Sequence, residues 1–136
     1  MTCTCCERPL DDGQRVAYPA SIFGADFSFR VEPAIFNLAG HLSPTYDGGL
    51  WDFYALSNGG FYMAPQTDEF FPVRCENGFE GRLSACALGI TACLYVYSHL
   101  SFGGDRLAET CAEQYHLLRG HALDHREAQA ILAAID

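Results

Sequence analysis

Three groups of residues in this chain have the types and spacing to do chemistry. Asp47 and Asp52 flank Gly48-Gly49 and could act as a carboxylate pair in acid/base catalysis. His121 and His125 are four positions apart, the spacing at which two imidazoles on one helix face share a metal. Cys3, Cys5 and Cys6 crowd three thiols into Cys-Thr-Cys-Cys.

Each group also has a plainer structural reading. A carboxylate beside a double glycine at the start of a strand is a common turn former. Asp124 reads as the start of a new helix between His121 and His125, and no Glu stands where a metalloprotease would need one. A structural zinc site needs four ligands, usually with a Cys-x-x-Cys turn, and no fourth ligand follows Cys6. The Cys cluster therefore reads as fortuitous. Gly48-Gly49 and Gly59-Gly60 lack the Lys-Ser/Thr of a phosphate loop, and no Gly-x-Ser-x-Gly elbow occurs. No catalytic residue, metal or cofactor is expected. The alternative is a small hydrolase using Asp47, Asp52 or a histidine.

The elements that would position these groups read as an α+β fold. Residues 1–12 are polar and aperiodic, a loose tail; residues 13–136 read as a single domain. Val16–Phe23 suggests a short helix interrupted by Pro19. In Pro33–Leu42, Ile35, Leu38, Ala39 and Leu42 recur at helical spacing, and Ser43-Pro44 ends the run. Two Asn-Gly pairs, Asn58-Gly59 and Asn77-Gly78, separate short aromatic runs, which predicts an antiparallel meander of about four strands over roughly 50–83.

Leu83–Leu100 has no Asp, Glu, Lys or Arg. It includes Ser84, Gly89, Thr91 and Ser98, with two tyrosines near its end, so it predicts a buried central helix rather than a membrane span. Asp105 should cap a helix to about His121 with an inner stripe of Leu107, Cys111, Tyr115 and Leu118. Asp124–Glu127 reads as a capping box for a last helix carrying Ala128, Ile131, Leu132 and Ile135.

Bulk composition agrees with a folded chain. Of 136 residues, 49% are hydrophobic and 18% charged. The net charge of −9 comes from 17 acidic residues against 8 basic ones, all arginine. Such a chain lacks the cationic surface that duplex binding requires, so direct DNA binding is not expected. The carboxylates are too scattered for a mimic of DNA. Seven cysteines with no secretory leader over Met1–Asp12 point to free thiols in the cytoplasm.

One segment is more specific than the rest. Leu42-Ser43-Pro44, Tyr46-Asp47-Gly48-Gly49, Trp51, Phe53-Tyr54, Leu56-Ser57-Asn58-Gly59-Gly60 and Phe61–Pro65 form a long pattern rich in Trp, Tyr and Gly. It resembles the central signature of the ArdB/KlcA antirestriction proteins. Asn77–Gly81 with Leu83-Ser84, Tyr115–Arg119 and Ala133–Asp136 resemble later blocks of that family. Asp52 departs from its usual Glu, and the Cys-rich start has no counterpart in it.

The resemblance implies a cytoplasmic, non-enzymatic protein that lets plasmid or mobile-element DNA evade type I restriction–modification. Its partners would be that system or associated host DNA-processing factors, engaged directly or indirectly, with no membrane. A plasmid-maintenance adaptor with an indirect effect is a further reading. Most of the signature reads as architecture, with Trp51, Phe53, Leu56 and Phe61 in the core. The candidate interaction surface is Asp47, Asp52, Tyr54, Asn58 and Tyr62, with Glu127 and Asp136 as a second patch.

Overall fold

The structure, a computed structural model, describes residues 7–136. The expected tail divides there: residues 1–6 lie outside the described residues, whereas Glu7–Pro9 form strand β1. Helix α1 spans Asp12–Phe23. It begins at a capping box in which the Gln14 N–H donates to Asp11 Oδ1 (2.8 Å) and the Asp11 N–H donates to Gln14 Oε1 (3.1 Å). Pro19 does not interrupt it, contrary to expectation; the proline is buried within a continuous helix.

A π-helical turn, Phe27–Val31, runs directly into α2, Glu32–Leu42. Pro33 sits in the first turn of α2, where no N–H is needed. Ile35, Ala39 and Leu42 face the core. Arg30 in the π turn donates to Asp105 (3.0 Å), which ties this turn to the start of helix α4, Arg106–Leu123. The Arg30 guanidinium and the Ala108 N–H hold the Asp105 carboxyl below its ordinary value.

The four expected strands are β2 (Trp51–Leu56), β3 (Phe61–Pro65), β4 (Phe70–Arg74) and β5 (Glu80–Ser84). Both Asn-Gly turns close hairpins, with Gly59 at φ +94° and Gly78 at φ +96°. The strands pair as two sheets, β1-β2-β3 and β4-β5, because residues 66–69 carry the chain away from β3 before β4 begins. Each sheet has a proline in an edge strand, Pro9 in β1 and Pro72 in β4.

Helix α3, Ala85–Leu100, is the buried central helix. It packs on β3 and against α2, α4 (Arg106–Leu123) and α5 (Ala128–Ile135). Among the described residues, no helix is long and apolar enough to cross a membrane. Phe23, Phe27, Phe53, Phe61 and Tyr97 form one aromatic cluster, with contacting ring centroids 5.4–6.3 Å apart. Beside it, Tyr97 donates its hydroxyl to Phe61 O (2.7 Å).

Asp105 caps α4 as expected, accepting from the Ala108 N–H (3.0 Å). The expected box at the last helix does not form. Asp124 lies at the C-terminus of α4, and Glu127 precedes α5 without capping it. Instead the Glu127 carboxylate accepts the Ser84 N–H (3.0 Å) and the Ser84 hydroxyl, where Ser84 is itself the N-cap of α3. The Asn77 Nδ2 donates to the carbonyls of Ala133 (3.0 Å), Ala134 and Asp136, and Tyr95 donates to Ala134 O.

At Gly89, α3 meets β3 with no side chain of its own in between. A Cβ on Gly89 would lie 2.3 Å from Met63 O and 2.6 Å from Ala64 Cα. Gly89→Ala is therefore expected to destabilise the protein by about 1–3 kcal/mol through overpacking, despite alanine's better helix propensity. Gly120→Ala, on α4, where a Cβ meets nothing within 4 Å, is expected to stabilise by up to about 1 kcal/mol. Urea midpoints of the two variants decide it; a Gly89→Ala protein at or above wild type would contradict the close approach. Glu127→Ala should cost about 1.5–3 kcal/mol, the range for hydrogen bonds to a charged group. A thermal-melt comparison with Glu127→Gln, which keeps an acceptor, should place the Gln variant between the two.

Candidate functional site

Strand β2 has two faces. Trp51, Phe53 and Ala55 point into the core, and Asp52 and Tyr54 point the other way, half-buried. The Arg15 guanidinium covers the Phe53 ring at 4.2 Å and donates to Trp51 O (2.8 Å), which anchors the inner face to α1. Across the register, Tyr54 lies opposite Tyr62 and Asp52 opposite Ala64.

Tyr62, expected at the surface, is 0% exposed. Its ring is stacked between Tyr54 (4.8 Å) and His121 (5.8 Å), and its hydroxyl lies 3.2 Å from Cys86 Sγ. A sequence pattern could not show this, because α3 and α4 close over that face of β3 from more than 20 positions away. His121 is buried, and the His125 Nδ1 accepts the Glu127 N–H (2.9 Å).

Asn58 is exposed, and its amide has structural work on both ends. Oδ1 accepts the Gly60 N–H (2.9 Å), and Nδ2 donates to Leu117 O on α4 (2.9 Å). Gln114 completes this clamp on the hairpin: Oε1 accepts the Phe61 N–H (3.0 Å) and Nε2 donates to Gly59 O (3.3 Å). Gln114 takes the buried place on the inner stripe, whereas Tyr115 is half-buried. Its polarity hid it from a count of apolar residues. Glu127 and the Asp136 carbonyl are anchors of α5, as described above.

What remains outward is the loop before β2. The Trp51 indole N–H donates to the Tyr46 hydroxyl (2.9 Å), and the rings meet edge to face at 5.8 Å. Gly48 and Gly49 then take φ of +103° and +104°, conformations that suit glycine. The Gln66 N–H donates to Leu50 O (2.8 Å) and closes the loop. The result holds Asp47 and Leu50 in solvent, with Leu50 76% exposed. Asp52 follows at the mouth of an open cleft whose lining includes Tyr54, Ala64, Gln66, Asp68 and Cys86. Asp52 Oδ1 accepts from Gln66 Nε2 at 3.4 Å. No histidine is among the described residues lining that cleft. Leu50 and Gln66 were absent from the expected surface; an apolar residue between Gly-Gly and Trp reads as the first residue of a strand.

The three other described cysteines are interior. Burial pushes the Cys93 thiol up to about 12 and the Cys111 thiol to about 11, and raises Cys75 as well. Among the described residues, no group of three or more His, Cys, Asp or Glu side chains could hold a metal ion.

Known proteins share this architecture. The sequence model of the antirestriction protein family matches residues 44–136. Antirestriction protein KlcA of Escherichia coli is 40% identical over 130 residues, 92% of this chain and 89% of that one. Putative antirestriction protein YubI of Escherichia coli K12 is 32% identical, with 93% of each chain covered. A solved structure, described as showing the novel fold of the KlcA and ArdB proteins and antirestriction activity against type I DNA restriction systems in vivo but not in vitro, superposes with a TM-score of 0.89 at 36% identity, covering 98% of this chain and 96% of the other. By sequence, and by a fold matched along nearly its whole length, this chain belongs to the ArdB/KlcA family of antirestriction proteins.

Proposed function

We propose that this chain lets incoming DNA escape type I restriction inside the cell, acting by binding rather than by catalysis, through the edge formed by Asp47, Leu50 and Asp52. The observation that carries the surface is the division within the signature: Tyr62 is enclosed and Asn58 is committed to α4, while Asp47 and Leu50 are held outward by a loop stapled at Tyr46 and Trp51. A rigid loop loses little freedom on binding, and an exposed leucine flanked by carboxylates suits a protein face with an apolar pocket rimmed by arginine or lysine. Tyr54 borders the same cleft and extends the surface.

Family membership supports the activity. The related structure is described as active in vivo but not in vitro. That contrast favours a route through a further cellular component, such as a host DNA-processing factor, over simple capture of the restriction enzyme. The net charge of −9 agrees with a protein target rather than a duplex. A hydrolase would need a base beside its carboxylate, and the lining of the Asp52 cleft offers no imidazole among the described residues.

The test is plating efficiency of unmodified phage or plasmid DNA in cells carrying a type I system, with and without the chain. Wild type should raise it. Asp47→Arg/Asp52→Arg should reduce that protection at least about tenfold, the effect of losing roughly 1.4 kcal/mol of binding. Circular dichroism and expression level should match wild type. Full protection by the double variant would remove this surface; no protection by wild type would remove the function.

A further inference from the structure

We propose that the cleft between α1, the π turn and β2 receives an arginine side chain of the protein partner, its guanidinium held on the Glu32 carboxylate. The existence of that partner rests on the binding function proposed above; the cleft and its charge do not.

The cleft forms where three elements meet. α1 contributes Arg15, Val16 and Ala20, the approach to the π turn contributes Ala25 and Phe27, and Glu32 stands at the start of α2. It encloses about 510 Å3 and opens to solvent. Glu32 is half-buried there. Among the described residues, none hydrogen-bonds or closely ion-pairs with its carboxylate. The Arg15 charge is near enough to favour the ionised form, but its guanidinium is committed to β2: it lies on the Phe53 ring at 4.2 Å and donates to Trp51 O (2.8 Å). Burial outweighs that attraction and raises the Glu32 carboxyl above its ordinary value. A carboxylate with both oxygens open, held in a cleft at a cost to the fold, has the character of a binding group.

The chemistry selects arginine. Two open carboxylate oxygens match the parallel N–H donors of a guanidinium. A guanidinium is also more weakly hydrated than an ammonium, so it loses less on entering a half-buried site. Val16, Ala20, Ala25 and Phe27 offer apolar walls to its methylene stem. The net charge of −9 draws a cation toward the chain. The rim favours a side chain carried by a protein over a free cation. Val16 is 75% exposed, and Phe36, one turn after Glu32, packs edge to face on Trp51 at 5.2 Å, next to the exposed Leu50. This apolar strip leads from the cleft to the edge formed by Asp47, Leu50 and Asp52, and one protein face spanning both would seat its arginine in an apolar surround.

The experiment titrates the isotope-labelled full chain with three capped tripeptides, leucine-X-leucine with X arginine, lysine or citrulline, and follows backbone amide shifts. The arginine peptide should give saturable shifts centred on Val16, Ala25 and Glu32. The citrulline peptide, a neutral isostere, should bind at least about tenfold more weakly, as loss of a hydrogen bond to a charged group implies, and the lysine peptide should fall between. Glu32→Gln should weaken the arginine peptide by a similar factor, with a melting temperature at or above wild type. In cells carrying a type I system it should lower protection at least about tenfold. Should Glu32→Gln fold poorly, Ala20→Trp, on the exposed side of α1, fills the cleft and should give the same losses. Scattered or unsaturable shifts, equal binding of the citrulline or lysine peptide, or full protection by folded Glu32→Gln would each overturn the proposal. A wild type that gives no protection would sink the antirestriction function, and the titration would still decide the cleft.

Discussion

The backbone of Gly89 rests on the backbone of Met63 and Ala64, and the rest of the structure is arranged around that contact. With no side chain on the helix at Gly89, α3 sits deep enough for Tyr97 to reach Phe61 O and for the Cys93 thiol to face Met63 O. The opposite sides of α3 are then within reach of α2, α4 and α5, so one apolar helix becomes the common wall of every layer. β3 is buried along its whole length for the same reason.

This depth decides how the family signature divides. Residues on β3, and the inner residues of β2, are enclosed because α3 and the aromatic cluster cover them. The hairpin tip is fastened to α4 by Asn58, which donates to Leu117 O, and by Gln114, which satisfies the Phe61 N–H where it would otherwise be buried without a partner. Within the signature, the Gly-Gly loop stays exposed and Asp52 and Tyr54 on the outer face of β2 stay half-buried. A long signature is therefore mostly a description of one packing solution, with a short exposed loop attached to it.

What was legible in the sequence is what is decided locally. Asn58-Gly59 and Asn77-Gly78 fixed two hairpins because positive φ at Gly is a property of the turn itself. The uncharged run ending at Leu100 announced α3, and Asp105 announced the start of α4. Glu127 was misread because its partner, Ser84, is 43 positions away. Tyr62 was misread because the covering groups come from α3 and α4. Pro19 was overweighted as a breaker, since the box at Asp11 and Gln14 and the burial of Phe23 secure both ends of α1. β1 was missed because three residues have no period to detect, and its stability comes from the strand beside it.

The prolines in β1 and β4 bear on how this protein can meet others. Pro9 and Pro72 remove backbone donors from outer strands, and β5 presents the charged side chains of Glu80 and Arg82. On the other side of the larger sheet, β3 is wholly buried. Neither sheet is a good template for an incoming strand, which guards against self-association through β-pairing at high expression. It also disfavours recognition by extension of a sheet, and leaves side chains and loops as the groups with which a partner could be met.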